Sequence, residues 1–282
     1  MFNFTYKEIS KYIRKKDIDT VLSFSYSGFF KKFGVFILAM GFVFGLYAVG
    51  IGPAQGNWGE TGNMVARILL DTVGPLVKIS DCIFFLMLLA WVIMPYYNRG
   101  VASVQGSLIG LVWGITTFFS ISSIITLVLV IVQGWISFFV QLFIIFMYLC
   151  VSTYIWIMKV HDKETKISNL KATITTLALM LIINIVMVIY SIIVKHLNFE
   201  LALGSASVIL YILLIFLLFY QLDRVYKLIY IQKYNRQFRV AYKIPDKKWW
   251  FTAKRAAKHP RVYPPVEEGT KEPMPKEGNK HG

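Results

Sequence analysis

GVASVQGSLIGLVWGITTFFSISSIITLVLVIVQGWISFFVQLFIIFMYLCVSTYIWIM, residues 100–158, contains no Asp, Glu, Lys, Arg or His. A run without charge over this length belongs in lipid, because one charge at the bilayer centre costs about 2.5–3.5 kcal/mol on insertion scales. As a single helix its 59 residues would extend roughly 88 Å, against a hydrocarbon core of about 30 Å. The window must therefore fold back on itself. Gln133-Gly134-Trp135 marks the reversal, since a helix breaker and an interfacial aromatic stand together there.

Four further charge-free windows flank this one, at residues 33–59, 82–98, 172–194 and 201–222. With the long window divided, the pattern predicts six helices at about 33–52, 79–97, 105–131, 136–158, 172–194 and 201–221. The fold class expected is all-α: a polytopic integral membrane protein with basic flanks. Composition agrees. Of 282 residues, 56% are hydrophobic and 16% charged, where soluble proteins average about 25% charged. Three regions follow: residues 1–32, a six-helix membrane domain at 33–221, and a basic tail at 222–282. The last part of the tail, 264–282, is rich in Pro, Lys and Glu and is expected to be disordered. The first apolar span begins only at residue 33, so no cleavable signal peptide is expected.

Orientation is read from the cations, because positive loops stay on the cytoplasmic side. With both termini inside, that side carries 27 of the 30 Lys and Arg residues, leaving Arg67, Lys78 and Lys195 outside. N-in/C-in is therefore expected, in a bacterial cytoplasmic membrane or an organelle inner membrane. In the N-terminal segment, Ile9, Tyr12 and Ile13 share one helical face among Lys7, Lys11, Arg14, Lys15 and Lys16. This predicts an interfacial amphipathic helix, with a helix packed on the tail as the alternative. Asp17 or Asp19 is the expected cap of a following elbow over Val21 to Phe30. Outside, residues 62–73 predict a short surface helix with Met64, Val65, Ile68 and Leu69 on its apolar arc, ended by Gly74-Pro75.

The membrane domain is poor in chemistry. Asp81 is the only Asp, Glu, Lys, Arg or His within the predicted spans, and beside Lys78 it reads as half of a surface pair. His161, His196, His259 and His281 lack metal-ligand spacing, Cys82 and Cys150 form no framework, and no nucleophile or phosphate motif occurs. No metal and no cofactor is expected, and the chain is expected not to be an enzyme.

Contact surfaces are more prominent. Ala102, Gly106, Gly110 and Gly114 repeat at i+4, with a shorter echo at Gly41 and Gly45. Such small residues let backbones approach closely in lipid. Gln141 and Asn184 are the amides at depth, suited to interhelical hydrogen bonds or to a polar solute. The tail interleaves aromatics with cations, and Lys247, Lys248, Trp249, Trp250, Lys254 and Arg255 are expected to bind anionic lipid headgroups or a cytoplasmic protein, with nucleic acid or the ribosome a lesser alternative. The function expected is a non-catalytic subunit or scaffold of a larger membrane assembly, such as a secretion, transport or energy-converting complex, in contact with other membrane subunits. The alternative is a carrier or channel for an uncharged or lipid-like solute, and more remotely a lipid-acting enzyme.

Overall fold

The structure, a computed structural model, describes residues 4–23, 29–52, 56–93, 98–161, 165 and 167–251. Two short helices, α1 (Tyr6–Tyr12) and α2 (Lys15–Leu22), precede α3 (Phe29–Ile51), α4 (Gly59–Thr72), α5 (Gly74–Ile93), α6 (Arg99–Gln133), α7 (Trp135–Val160) and α8 (Asn169–Ile193). Then come α9 (Phe199–Gly204), a 3₁₀ turn at Ser205–Ile209, α10 (Leu210–Lys233), α11 (Asn235–Ala241) and α12 (Asp246–Trp249). Among the described residues there is no strand, and six helices are long and apolar enough to cross a membrane: α3, α5, α6, α7, α8 and the continuous stretch Phe199–Lys233. The chain is thus an all-α protein of multi-pass membrane character.

The reversal predicted in the long window is a single residue. Gly134 adopts φ 86°, a conformation that glycine reaches without steric cost, and α6 and α7 meet there. The freed carbonyl of Val132 at the end of α6 is taken by the Lys195 ammonium at 2.8 Å and the Ser191 hydroxyl at 3.4 Å. A lysine at a helix C-terminus satisfies an orphan acceptor and complements the dipole.

α6 is the mast of the bundle, with 44% of its 18-residue apolar stretch buried against 17% for those of α3 and α8. On one side lie α3 and α5, through Val43, Phe84 and Leu88. On the other lie α7, α8 and α10, around Ile125, Ile145, Met180, Tyr211 and Ile212. At the end away from the termini α4 packs on α6 through Val65, Ala66, Leu69, Leu127 and Val130. The apolar arc of α4 differs from expectation, because Met64 and Ile68 are 50% and 44% exposed. Gly62, Val65, Ala66 and Leu69 form the buried face, at i, i+3, i+4 and i+7.

The apolar faces of α1 and α2 are packed on the C-terminal helices. Ile9, Tyr12, Ile13, Ile18 and Val21 are buried with Leu228, Ile231, Phe238, Ile244 and Trp249 in one core. This is the packing expected of the alternative, a helix seated on the tail; residues 24–28 of the expected elbow lie outside the described residues. The start of α2 also differs, since Arg14 is its N-cap and Asp17 sits at N3, accepting the Arg14 backbone N–H at 2.9 Å. At α1 the Thr5 N–H and hydroxyl both donate to Glu8, at 2.8 and 2.9 Å, which holds that carboxyl below its ordinary value.

Candidate functional site

Gln141 and Asn184, the two amides expected at depth, meet in one cluster and are 0% and 1% exposed. Its centre is Gln133, whose side-chain NH₂ donates to Asn184 Oδ1 at 3.0 Å and to Ser205 Oγ at 2.8 Å. Its carbonyl oxygen accepts from Ser137 Oγ and from Gln141 Nε2, each at 2.7 Å. Gln141 donates a second bond to Ser137 Oγ at 2.9 Å. Asn184 donates to Gln141 Oε1 at 3.0 Å and to the Met180 carbonyl at 2.8 Å, while Ser205 donates onward to the Ala202 carbonyl at 2.6 Å. Every N–H of the three amides is matched, so the cluster has no donor left for a solute. It joins α6, α7, α8 and the 3₁₀ turn. Gln133, expected in the turn, carries no role by local pattern; the signal for it is its distance of eight residues from Gln141, which an intervening reversal can bring face to face.

Asp81 is corrected from surface pair to buried residue. It is 7% exposed, whereas Lys78 is exposed, and neither carboxylate oxygen has a hydrogen-bond partner. The reason is helical phase: Val77, Ser80, Asp81, Phe84 and Leu88 are the buried face of α5. The Thr116 and Ser120 hydroxyls on α6, both 0% exposed, also lack partners. A Cβ placed on Gly50 would lie 3.1 Å from Val77 and 3.3 Å from the Ser120 Cα. Because α5 and α6 run antiparallel, one turn from that contact sets Asp81 level with Thr116.

The glycine stripe of α6 is turned inward. Ala102 is 0% exposed, a Cβ on Gly114 would meet Leu218 of α10 at 2.9 Å, and one on Gly110 would meet Gln221 at 3.9 Å. Gly106 is half-buried. Gly41 and Gly45 lie on the exposed side of α3, with nothing within 4 Å of an added Cβ.

The tail aromatics are sewn into the protein. Trp249 is 1% exposed, at 2.8 Å from a Cβ built on Gly100. Trp250 pairs through its backbone with Asn98, and the Arg239 guanidinium lies 5.9 Å from each of the two indole rings. Trp249 is therefore corrected from an outward anchor to a core residue. Lys248 is exposed. Lys247 is described in its backbone alone, on α12, and Lys254 and Arg255 lie outside the described residues, as does the segment expected to be disordered.

Where the apolar spans of α7 and α10 end, Asp223 gathers three groups. Lys159 and Lys227 approach it at 3.2 and 3.1 Å, and the Tyr12 hydroxyl donates to it. Lys227 also reaches Asp17 at 3.7 Å and stands 4.8 Å from the Tyr12 ring centre. The network ties α1, α2, α7 and α10 together at one level. Among the described residues no group of three or more His, Cys, Asp or Glu side chains could hold a metal ion. No protein-family model, no curated protein and no solved structure matches the chain.

Proposed function

We propose that the chain is a non-catalytic integral-membrane subunit or scaffold of a larger membrane assembly, of the secretion, transport or energy-converting kind. The observation that carries this reading is the closed amide cluster of Gln133, Gln141 and Asn184. Depth polarity in a carrier has to be exchanged between helix and solute, and within this cluster it is consumed by helix-to-helix bonds. The lipid-facing side of α3, with Gly41 and Gly45 open among exposed Leu38, Phe42 and Phe44, supports contact with another membrane subunit. The basic end faces the cytoplasm in this reading, N-in/C-in, in a bacterial cytoplasmic or organelle inner membrane. Gentle solubilisation from native membranes, followed by identification of co-purifying proteins, tests it. Stoichiometric partners are expected, and a chain that isolates alone from every mild detergent contradicts the proposal.

One observation favours the second reading, a carrier. Asp81 with the Thr116 and Ser120 hydroxyls is a buried polar group without internal partners, and a polar solute would be held there. Asp81→Asn should then abolish uptake, whereas a subunit should keep its partners through that change.

A further inference from the structure

The end of the bundle that carries both described termini holds a cavity of about 690 Å³ between α1, α2, α8 and the ends of α7 and α10. Among the described residues six cations line it, Lys11, Arg14, Lys16, Lys159, Arg224 and Lys227, against the two carboxylates Asp17 and Asp223. Both carboxylates are already engaged by Lys159 and Lys227, while among the described residues no ion pair reaches Arg14, Lys16 or Arg224. The start of α8 adds to the field. Ser168 and Asn169 line the cavity, the Ser168 hydroxyl caps the Lys171 N–H at 3.2 Å, and the N–H groups of Asn169 and Leu170 lie outside the intrahelical set. Cations from three separate segments and a helix N-terminus therefore converge on one anion-sized space.

Its level in the molecule identifies the anion. Lys159 and Asp223 are the first charges after the apolar runs of α7 and α10, so the cavity lies at headgroup depth. Ile155 and Leu228 form an apolar part of its wall, and Tyr220, 60% exposed, opens it toward the lipid-facing side of α10. We propose that this cavity binds the phosphate-bearing headgroup of an anionic phospholipid, whose acyl chains leave past Tyr220 into the bilayer. The site is separate from the cations of α12 and the tail beyond it, and it does not depend on the subunit reading.

The test uses the full-length chain, purified in mild detergent from vesicles holding equal phosphatidylglycerol and phosphatidylcholine, with retained lipid read by native mass spectrometry. The wild type should retain phosphatidylglycerol over phosphatidylcholine. The combined variant Arg14→Gln, Lys16→Gln, Arg224→Gln leaves the Tyr12, Asp223 and Lys227 network in place. It should lose retained phosphatidylglycerol at least about ten-fold, since each cation near an anionic surface is worth roughly a five-fold preference and neighbours share the field. Arg236→Gln, Lys243→Gln, Lys248→Gln removes equal charge from exposed positions at the same end and should change retention little. Inorganic phosphate at the concentration of the lipid should displace nothing. Equal loss in both variants would reduce the site to diffuse surface attraction and overturn the proposal. Displacement by inorganic phosphate would overturn the lipid assignment in favour of a soluble phosphate compound, and equal retention of both lipids by the wild type overturns the proposal without any variant.

Discussion

Trp249 shows what a single residue contributes here. It is 1% exposed and packs with Phe238 and Ile244, so Trp249→Ala should leave a cavity costing about 3–5 kcal/mol. Thermal unfolding in detergent should show the loss even without any partner, which an outward-facing anchor would not. Gln133 acts differently, through four hydrogen bonds. Intramembrane hydrogen bonds average about 0.6 kcal/mol each, so Gln133→Leu should destabilise by about 2 kcal/mol while the isosteric Gln133→Glu, which brings in an unpaired acid or charge, should cost at least as much. Urea or heat titration of the two variants checks the order. A Gln133→Leu protein as stable as the wild type would show the cluster to be dispensable.

At the scale of the element, helix number and the reversal at Gly134 were legible in sequence, because charge-free length and a helix breaker report directly on the solvent and the chain direction. Which face each helix buries was harder to read, since in lipid both faces are apolar and hydropathy no longer marks the inside. Asp81 and the arc of α4 illustrate this. Gly50 does too: besides Lys32, the buried described positions of α3 are Val43, Leu46 and Gly50, at i, i+3 and i+7, yet the conspicuous pair Gly41 and Gly45 faces away. Gly50→Leu should therefore overpack the junction of α3, α5 and α6, costing about 1–3 kcal/mol, whereas Gly45→Leu should leave the isolated chain's melting unchanged. Melting curves of the two purified variants decide the matter. The basic tail was legible as charge, but its return onto Gly100 through Trp249 is a long-range contact that no local pattern encodes.

For the whole molecule, the expected orientation rests on the sequence order of the cations, which assigns 27 of the 30 Lys and Arg residues to one side. In a background with Cys82→Ser and Cys150→Ser, cysteines at Asn57 and Asn198 should react in sealed cells with an impermeant thiol reagent, and those at Lys166 and Gly269 should not. In the proposed subunit the amide cluster joins helices and lines no passage, and Ser137, by its accessibility, checks this. It is 7% exposed within the amide cluster, a few residues past the turn at Gly134. In the same background Ser137→Cys should stay unmodified by a small impermeant reagent from either side while Asn57→Cys is fully labelled. Labelling of Ser137→Cys at the rate of Asn57→Cys would reveal an aqueous route into the bundle and contradict the subunit reading in favour of a carrier.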